Sequence, residues 1–177
     1  MKHYLLGGLF LLSLFFTSCI ESDNFNIGEI EGYAPVYVSK ENAYKTEVKS
    51  PQSIAIPGKI YLYNNYVYVT DKGKGVHIID NSNPSTPVKL KFIEIPGAND
   101  VVVKSGILYC DNLTDLVAFD ISDLSNITLT KRVKDVYPTK NQMYPEFATG
   151  YFDCVDTNLG YVTNWVKKTL KNPKCYR

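Results

Sequence analysis

Short runs of hydrophobic and β-branched residues alternate with turn residues along the middle of the chain. Residues rich in Asn, Gly and Pro separate these runs, and this pattern favours strands over helices. The first four runs cover residues 60–63, 66–70, 76–79 and 89–95. The next four cover residues 100–104, 107–110, 116–119 and 127–133. The pattern predicts an all-β fold with two four-stranded antiparallel sheets.

The second set of runs repeats the first. An offset of 40 residues aligns the two sets without gaps and places Asp71 on Asp111 and Asp80 on Asp120. Four strands in about 40 residues is the period of a propeller blade, and a closed propeller needs about four to eight blades. The sequence therefore predicts an incomplete propeller, which is either a piece of a longer protein or a small open sheet that pairs with another chain.

A hairpin is predicted within residues 139–177, where runs at 150–155 and 161–166 flank a turn rich in Asn and Gly. This segment could also be the start of a further blade. Cys154 and Cys175 flank the hairpin and could form a disulfide if the protein is exported to an oxidising compartment. Cys110 lies inside a strand run and is expected to be a small buried hydrophobic residue.

Residues 1–18 have the pattern of a secretion signal, with a basic residue before an apolar run of 13 residues. A membrane-spanning helix needs about 20 residues, so this run is too short to act as an anchor. The sequence Phe16-Thr17-Ser18-Cys19 resembles the bacterial lipobox, with Phe in place of the usual Leu or Val. Cys19 is then the lipidated residue and residues 19–52 form a tether to the folded part. The alternatives are an ordinary export signal and a buried N-terminal helix.

The strand and loop of the first repeat carry a resemblance to a known family. Residues 76–80 read Val-His-Ile-Ile-Asp and precede a loop with Pro84 and Pro87, which is similar to the LVIVD repeat. The second copy matches the strand at 116–122 but has Leu124 and Ile127 where prolines would stand. The resemblance covers about residues 53–138. With the lipobox, it implies a β-propeller-like lipoprotein of Bacteroidetes-type bacteria and says little about activity.

Charge and candidate chemistry exclude several classes of function. Without Lys2, the chain has 18 basic and 18 acidic residues, so it is a poor candidate for binding nucleic acid. Beyond the signal only His77 remains, and it is expected to lie on one face of a strand rather than act in catalysis. The spacing of four aspartates fits turn capping better than a calcium loop. They are Asp111, Asp115, Asp120 and Asp123. We predict no catalytic residue, no cofactor and no metal.

Tyrosines form the remaining candidate site. They cluster on two adjoining strands as Tyr61, Tyr63, Tyr66 and Tyr68. These rings are expected either to pack across the strands or to form a ligand platform, for example for glycans. The sequence predicts a non-enzymatic interaction or scaffold module in the bacterial cell envelope, in the outer membrane and facing the periplasm or the cell surface. Its partners are the membrane, through the lipid, and a protein or a glycan. The alternative is a carbohydrate-binding or glycan-processing accessory lipoprotein, and an enzyme is a third hypothesis.

Overall fold

The computed structural model describes residues 27–138, 143–146 and 148–177, so Cys19 and the signal lie outside the described residues. The described residues form thirteen strands and no helix. The strands are β1 Glu29–Val38, β2 Glu47–Lys49, β3 Pro57–Tyr63, β4 Tyr66–Asp71, β5 Gly75–Asp80, β6 Val88–Glu94, β7 Val101–Lys104, β8 Ile107–Asn112, β9 Asp115–Asp120, β10 Thr128–Val133, β11 Tyr151–Phe152, β12 Tyr161–Lys171 and β13 Cys175–Tyr176.

The strands assemble into three sheets. The first sheet has the order β2-β6-β5-β4-β3, the second has the order β10-β9-β8-β7, and both are antiparallel throughout. A terminal sheet, with the order β12-β1-β11-β13, combines both ends of the described chain. The predicted all-β fold and its two antiparallel repeat sheets are confirmed. The described residues form no closed ring of sheets, in keeping with an incomplete propeller.

Turn residues explain why each repeat folds back on itself. In the second sheet, Ser105 and Gly106 both have positive φ values, 50° and 76°, as a tight hairpin turn requires. In the first sheet, Asn64 has a φ of 53° at the corresponding turn. The Asp80 carboxylate accepts a hydrogen bond from the Ser82 amide at 2.8 Å, and Asp120 accepts one from Ser122 at 2.9 Å. These bonds start the long loops in the two repeats in the same way.

The structure corrects the gap-free alignment of the two repeats. Tyr68 lies opposite Ile78 in the first sheet, whereas Tyr109 lies opposite Ala118 in the second. Equivalent residues are therefore 41 apart in the first hairpin and 40 apart in the third strand. The cause is the turn after the second strand, which has three residues in the first repeat and two in the second. Asp71 thus corresponds in register to Asn112 rather than to Asp111, and a slip of one residue exchanges the two faces of a strand.

The two repeat sheets pack face to face. We call front face the side of the first sheet with Tyr61, Tyr63, Tyr66, Tyr68, Val76 and Ile78, and the equivalent side of the second sheet with Val102, Ile107, Tyr109, Leu116, Ala118 and Val133. The back face of the second sheet carries Val101, Val103, Leu108, Cys110, Val117 and Phe119. One hydrophobic core joins the front of the first sheet to the back of the second. The sheets therefore stack head to tail, as successive repeats do in a solenoid or a propeller.

Strands replace the expected tether over the described part of residues 19–52, which begins at residue 27. Strand β1 makes ten antiparallel residue pairs with β12, from Glu29 opposite Lys171 to Val38 opposite Tyr161. Its acidic residues have partners across the strands, since Lys171 Nζ lies 3.3 Å from Glu29 and Thr169 donates a 2.8 Å hydrogen bond to Glu31. Local composition made this segment look solvated, but partners 123 to 142 residues away make it a strand. Residues Glu47–Lys49 also form a strand, β2, at the edge of the first sheet.

The predicted pairing of runs 150–155 and 161–166 is wrong. Strand β1 lies between them, parallel to β11 and antiparallel to β12. The approach is close at Gly32, where a Cβ atom would collide with the Tyr151 carbonyl and the Leu170 side chain. Strand β11 pairs instead with β13, and Cys154 forms a disulfide with Cys175. The sequence left open whether Cys154 and Cys175 are bonded, and in the structure they are.

Replacing both disulfide cysteines by serine, as Cys154→Ser with Cys175→Ser, is expected to lower the free energy of unfolding by about 3 kcal/mol. The bond closes a loop across a sequence separation of 21 residues, and cutting it restores conformational entropy to the unfolded chain. Urea unfolding followed by tryptophan fluorescence measures the difference. A reductant should lower the wild type to the same level and leave the double variant unchanged. Equal stability of the oxidised wild type and the double variant would contradict the prediction.

Candidate functional site

The front face of the second sheet is the main surface of the repeats that lacks a matching sheet. In the first sheet the equivalent face is covered, and Tyr68 there has only 2% of its surface exposed. In the second sheet Val102 and Val133 are each 44% exposed, and Tyr109, the equivalent of Tyr68, is only half-buried. The same strand positions are therefore closed in one repeat and open in the next.

Two adjoining depressions, of about 240 and 210 Å³, run along this open face. Tyr109 and Leu116 lie at their junction and line both. The other lining residues of the larger depression are Ile107, Ala118, Thr130, Lys131 and Val133. The smaller one is also lined by Lys59, Tyr61, Asp100, Val101, Val102, Cys110, Asp111 and Tyr137. The surface is an apolar strip with charged residues at its edges, which is the usual composition of a protein-binding patch.

Strand alternation places Val102, Tyr109 and Leu116 on one face, and the polar groups around them are engaged in structure. The Asp111 carboxylate accepts hydrogen bonds from the amides of Asn99 and Asp100, both at about 2.9 Å. Burial raises the pKa of Asp111, and these backbone bonds oppose the rise. Asp100 also lies 3.6 Å from the Lys59 ammonium across the rim. The site can therefore bind by apolar contact with a charged border.

The four tyrosines singled out from the sequence lie between the sheets. Tyr68 belongs to the buried core, and Tyr61, Tyr63 and Tyr66 pack against that core. The Tyr61 hydroxyl donates a 3.1 Å hydrogen bond to the Val103 carbonyl of the second sheet. Burial raises the pKa of Tyr68 to about 12. This arrangement fits the packing interpretation, because the four rings belong to or pack against the core between the sheets, and Tyr61 also lines the smaller depression.

His77 is buried on the back face of the first sheet, with 1% of its surface exposed. Its ring lies 4.6 Å from that of Phe92, and its Nε2 lies 3.6 Å from the Asp71 carboxylate. Neither ring nitrogen has a hydrogen-bond partner. Both Asp71 oxygens already accept 2.9 Å hydrogen bonds, from the amides of Ala55 and Ile56. Burial lowers the pKa of His77, and the nearby Asp71 only partly opposes this shift. The side chain is a packed core residue without access to a solute.

The four aspartates weighed for calcium act as local hydrogen-bond acceptors. Asp120 and Asp123 accept bonds from the amides and hydroxyls of Ser122 and Ser125. Asp111 accepts the backbone bonds described above, and Asp115 binds the Arg132 guanidinium at 3.0 Å. No group of three or more metal-ligating side chains occurs among the described residues. Turn capping describes Asp120 and Asp123, whereas Asp111 and Asp115 accept bonds from residues farther away in the chain.

Sequence reasoning missed a buried polar junction between the N-terminal segment and the second sheet. The fully buried Asn112 donates hydrogen bonds to the carbonyls of Ala43, at 3.0 Å, and Pro96, at 2.7 Å. Its side-chain oxygen accepts a 2.7 Å bond from Arg132, which also donates to the Tyr44 carbonyl at 2.8 Å. One signal in the sequence could have indicated this junction. Arg132 occupies the position at which the first repeat has the buried residue Phe92, and an arginine at a buried position needs polar partners.

A comparison with known families decides what the two sheets are. The family model described as LVIVD repeat matches residues 57–93 and 97–135. These two segments are LVIVD repeats. The first LVIVD repeat begins with β3 and ends in β6, and the second contains β7 to β10, so each repeat supplies one four-stranded antiparallel unit. No curated protein and no solved structure matches the chain. Within the described part of the chain, no helix is long and apolar enough to cross a membrane.

His77→Val should reduce the loss of unfolding free energy that occurs as the pH falls below neutrality. Valine is the residue that the second LVIVD repeat has at this position, Val117. In the wild type, a folded pKa below the ordinary value of about 6.5 means that the unfolded chain takes up the proton first. Stability is then complete above pH 6.5 and falls as the pH drops below that value toward the folded pKa. Lys89 adds to this effect, and Asp71 reduces it.

The measurement is the free energy of unfolding of both proteins at steps between pH 7.5 and 5. The carboxylates contribute equally to the two proteins, so the difference between their free energies of unfolding isolates His77. A wild type that loses no more stability than His77→Val over this interval would show that the imidazole is solvated or paired in the folded state.

Proposed function

We propose that this protein is a non-enzymatic scaffold, held in the bacterial cell envelope by a lipid on Cys19, which binds a protein partner through the front face of its second LVIVD repeat. The observation that carries the proposal is the equivalence of the two front faces. In the first repeat this face packs against a β-sheet, and in the second it is partly exposed, with Val102 and Val133 each 44% exposed. An apolar strip with a charged border suits a protein surface.

The sequence at the N-terminus supports anchoring. A basic residue, a short apolar run and the Phe16-Thr17-Ser18-Cys19 stretch together resemble a lipoprotein signal. The disulfide between Cys154 and Cys175 is compatible with export, because such bonds persist in oxidising compartments. We place the lipid in the outer membrane, with the repeats facing the periplasm or the cell surface.

The environment of the reactive side chains supports a binding role. His77 and Cys110 are 1% and 2% exposed, and burial raises the pKa of the Cys110 thiol, which makes it a poor nucleophile. The aspartates near them accept structural hydrogen bonds. The carbohydrate-binding alternative rested on Tyr61, Tyr63, Tyr66 and Tyr68, and their position between the sheets gives it no support.

Cys19→Ala is expected to move the protein from the membrane fraction to the soluble fraction. The acyl chains on Cys19 provide the membrane affinity, and each buried methylene contributes about 0.8 kcal/mol. Fractionation with immunoblotting measures the shift, and mass spectrometry of the mature N-terminus identifies the acyl groups. Cys110→Ala is the matched control and should remain with the membrane. Retention of Cys19→Ala in the membrane would contradict lipid anchoring.

A photo-crosslinking residue at Val102 should capture a protein in intact cells, because position 102 lies in the open face and is 44% exposed. The control is the same residue at Leu159, an apolar position that is 56% exposed in a loop before β12. Denaturing gels and mass spectrometry identify the adducts. An adduct specific to position 102 is the expected result. Equal labelling at both positions, or none at either, would contradict binding at the front face.

A further inference from the structure

We propose that copies of this chain associate head to tail, with the front face of the second LVIVD repeat of one copy packed on the back face of the first LVIVD repeat of another. The inference rests on the proposed function, since it names the partner of the same face. It uses a contact that the chain already makes once within itself, between its own two repeats.

The first argument is that the chain carries a second copy of each half of its internal interface, and that part of each copy is exposed. The back face of the second repeat is buried against the first, and Val101 and Val103 there are each 2% exposed. The equivalent residues of the first repeat are Ile60 and Leu62 on β3, at 58% and 66% exposed. These two side chains are large, apolar and on one face of an edge strand, where solvation is unfavourable.

The second argument is positional. Within the chain, the main strand contact between the repeats is between β3 and β7, where the Tyr61 hydroxyl donates a hydrogen bond to the Val103 carbonyl. The equivalents of Tyr61 and Val103 are Val102 and Leu62. Repeating the same packing between two copies therefore brings Val102 of one copy against Leu62 of the other. Both positions are exposed, so neither needs an existing contact to break.

The third argument concerns the remainder of the back face. Val69 and His77 of the first repeat are already covered, at 6% and 1% exposed, which leaves the β3 side as the available part. On the facing surface, Val102 on β7 and Val133 on β10 are each 44% exposed, whereas Ala118 on β9 is 7% exposed. Each face thus has an exposed area on the strand, β3 or β7, that makes the main contact between the repeats inside the chain.

Front and back are different surfaces, so the contact is heterologous. Each added copy leaves one front face and one back face free, and association continues until a ring closes or an open row forms. This geometry separates the proposal from a symmetric dimer, in which the same residue of both copies would meet.

The test uses two full-length copies with different tags, produced together in the same cells. One carries Leu62→Cys and the other carries Val102→Cys, and a short bis-maleimide is added to link thiols in contact. The expected product contains both tags. Two copies of Leu62→Cys, or two copies of Val102→Cys, should give none, because like positions do not meet across a heterologous contact. Pairing Leu62→Cys with Leu159→Cys controls for random collision, and the buried Cys110 is common to every pair.

Loss of the two-tag product, or equal yields from like and unlike pairs, would overturn head-to-tail association. If Val102 still captures a different protein by photo-crosslinking, the proposed function stands and only the identity of the partner is wrong. If neither experiment gives a product specific to position 102, both proposals fail. The substituted side chains are exposed, so the variants should fold as the wild type does, which urea unfolding checks directly.

Discussion

The structure depends on side-chain alternation along the strands of two stacked sheets. Tyr68, Ile78 and Ile93 point from the first sheet toward Val103 and Phe119 of the second, and together they exclude water from one core. Fully burying such a side chain contributes about 1.5–3 kcal/mol, so a handful of them outweighs the small net stability of a domain. Shifting one strand by a single residue would turn this set toward solvent and remove the core.

Local signals in the sequence were sufficient for the repeat sheets and insufficient for their exact alignment. Runs of β-branched and aromatic residues between Asn, Gly and Pro turns predicted β3 to β10, because both strand preference and turn chemistry act over a few residues. The turn after the second strand is one residue shorter in the second repeat, and identical aspartates at 71 and 111 concealed this difference. Both carboxylates still accept two backbone amides, so a shared capping role explains the misleading match.

The candidate site lay beyond sequence reasoning for a different reason. Alternation shows that Val102 and Tyr109 share a face, but only the arrangement of the sheets shows which face has a neighbour. The tyrosine cluster drew attention as a ligand platform, although the second sheet covers it. The junction at Asn112 and Arg132 joins segments about 70 and 90 residues apart, and no local pattern reports such a contact.

The pairing of β1 with β12 sets the order in which parts of the chain can fold during synthesis. This strand precedes both repeats in the chain, and its main partner, β12, follows both. The chain must therefore carry β1 unpaired while the local hairpins of the repeats form around their own turns, since nearby contacts close faster than distant ones. The disulfide between Cys154 and Cys175 can form only once β13 has been made, so it follows the synthesis of both repeats.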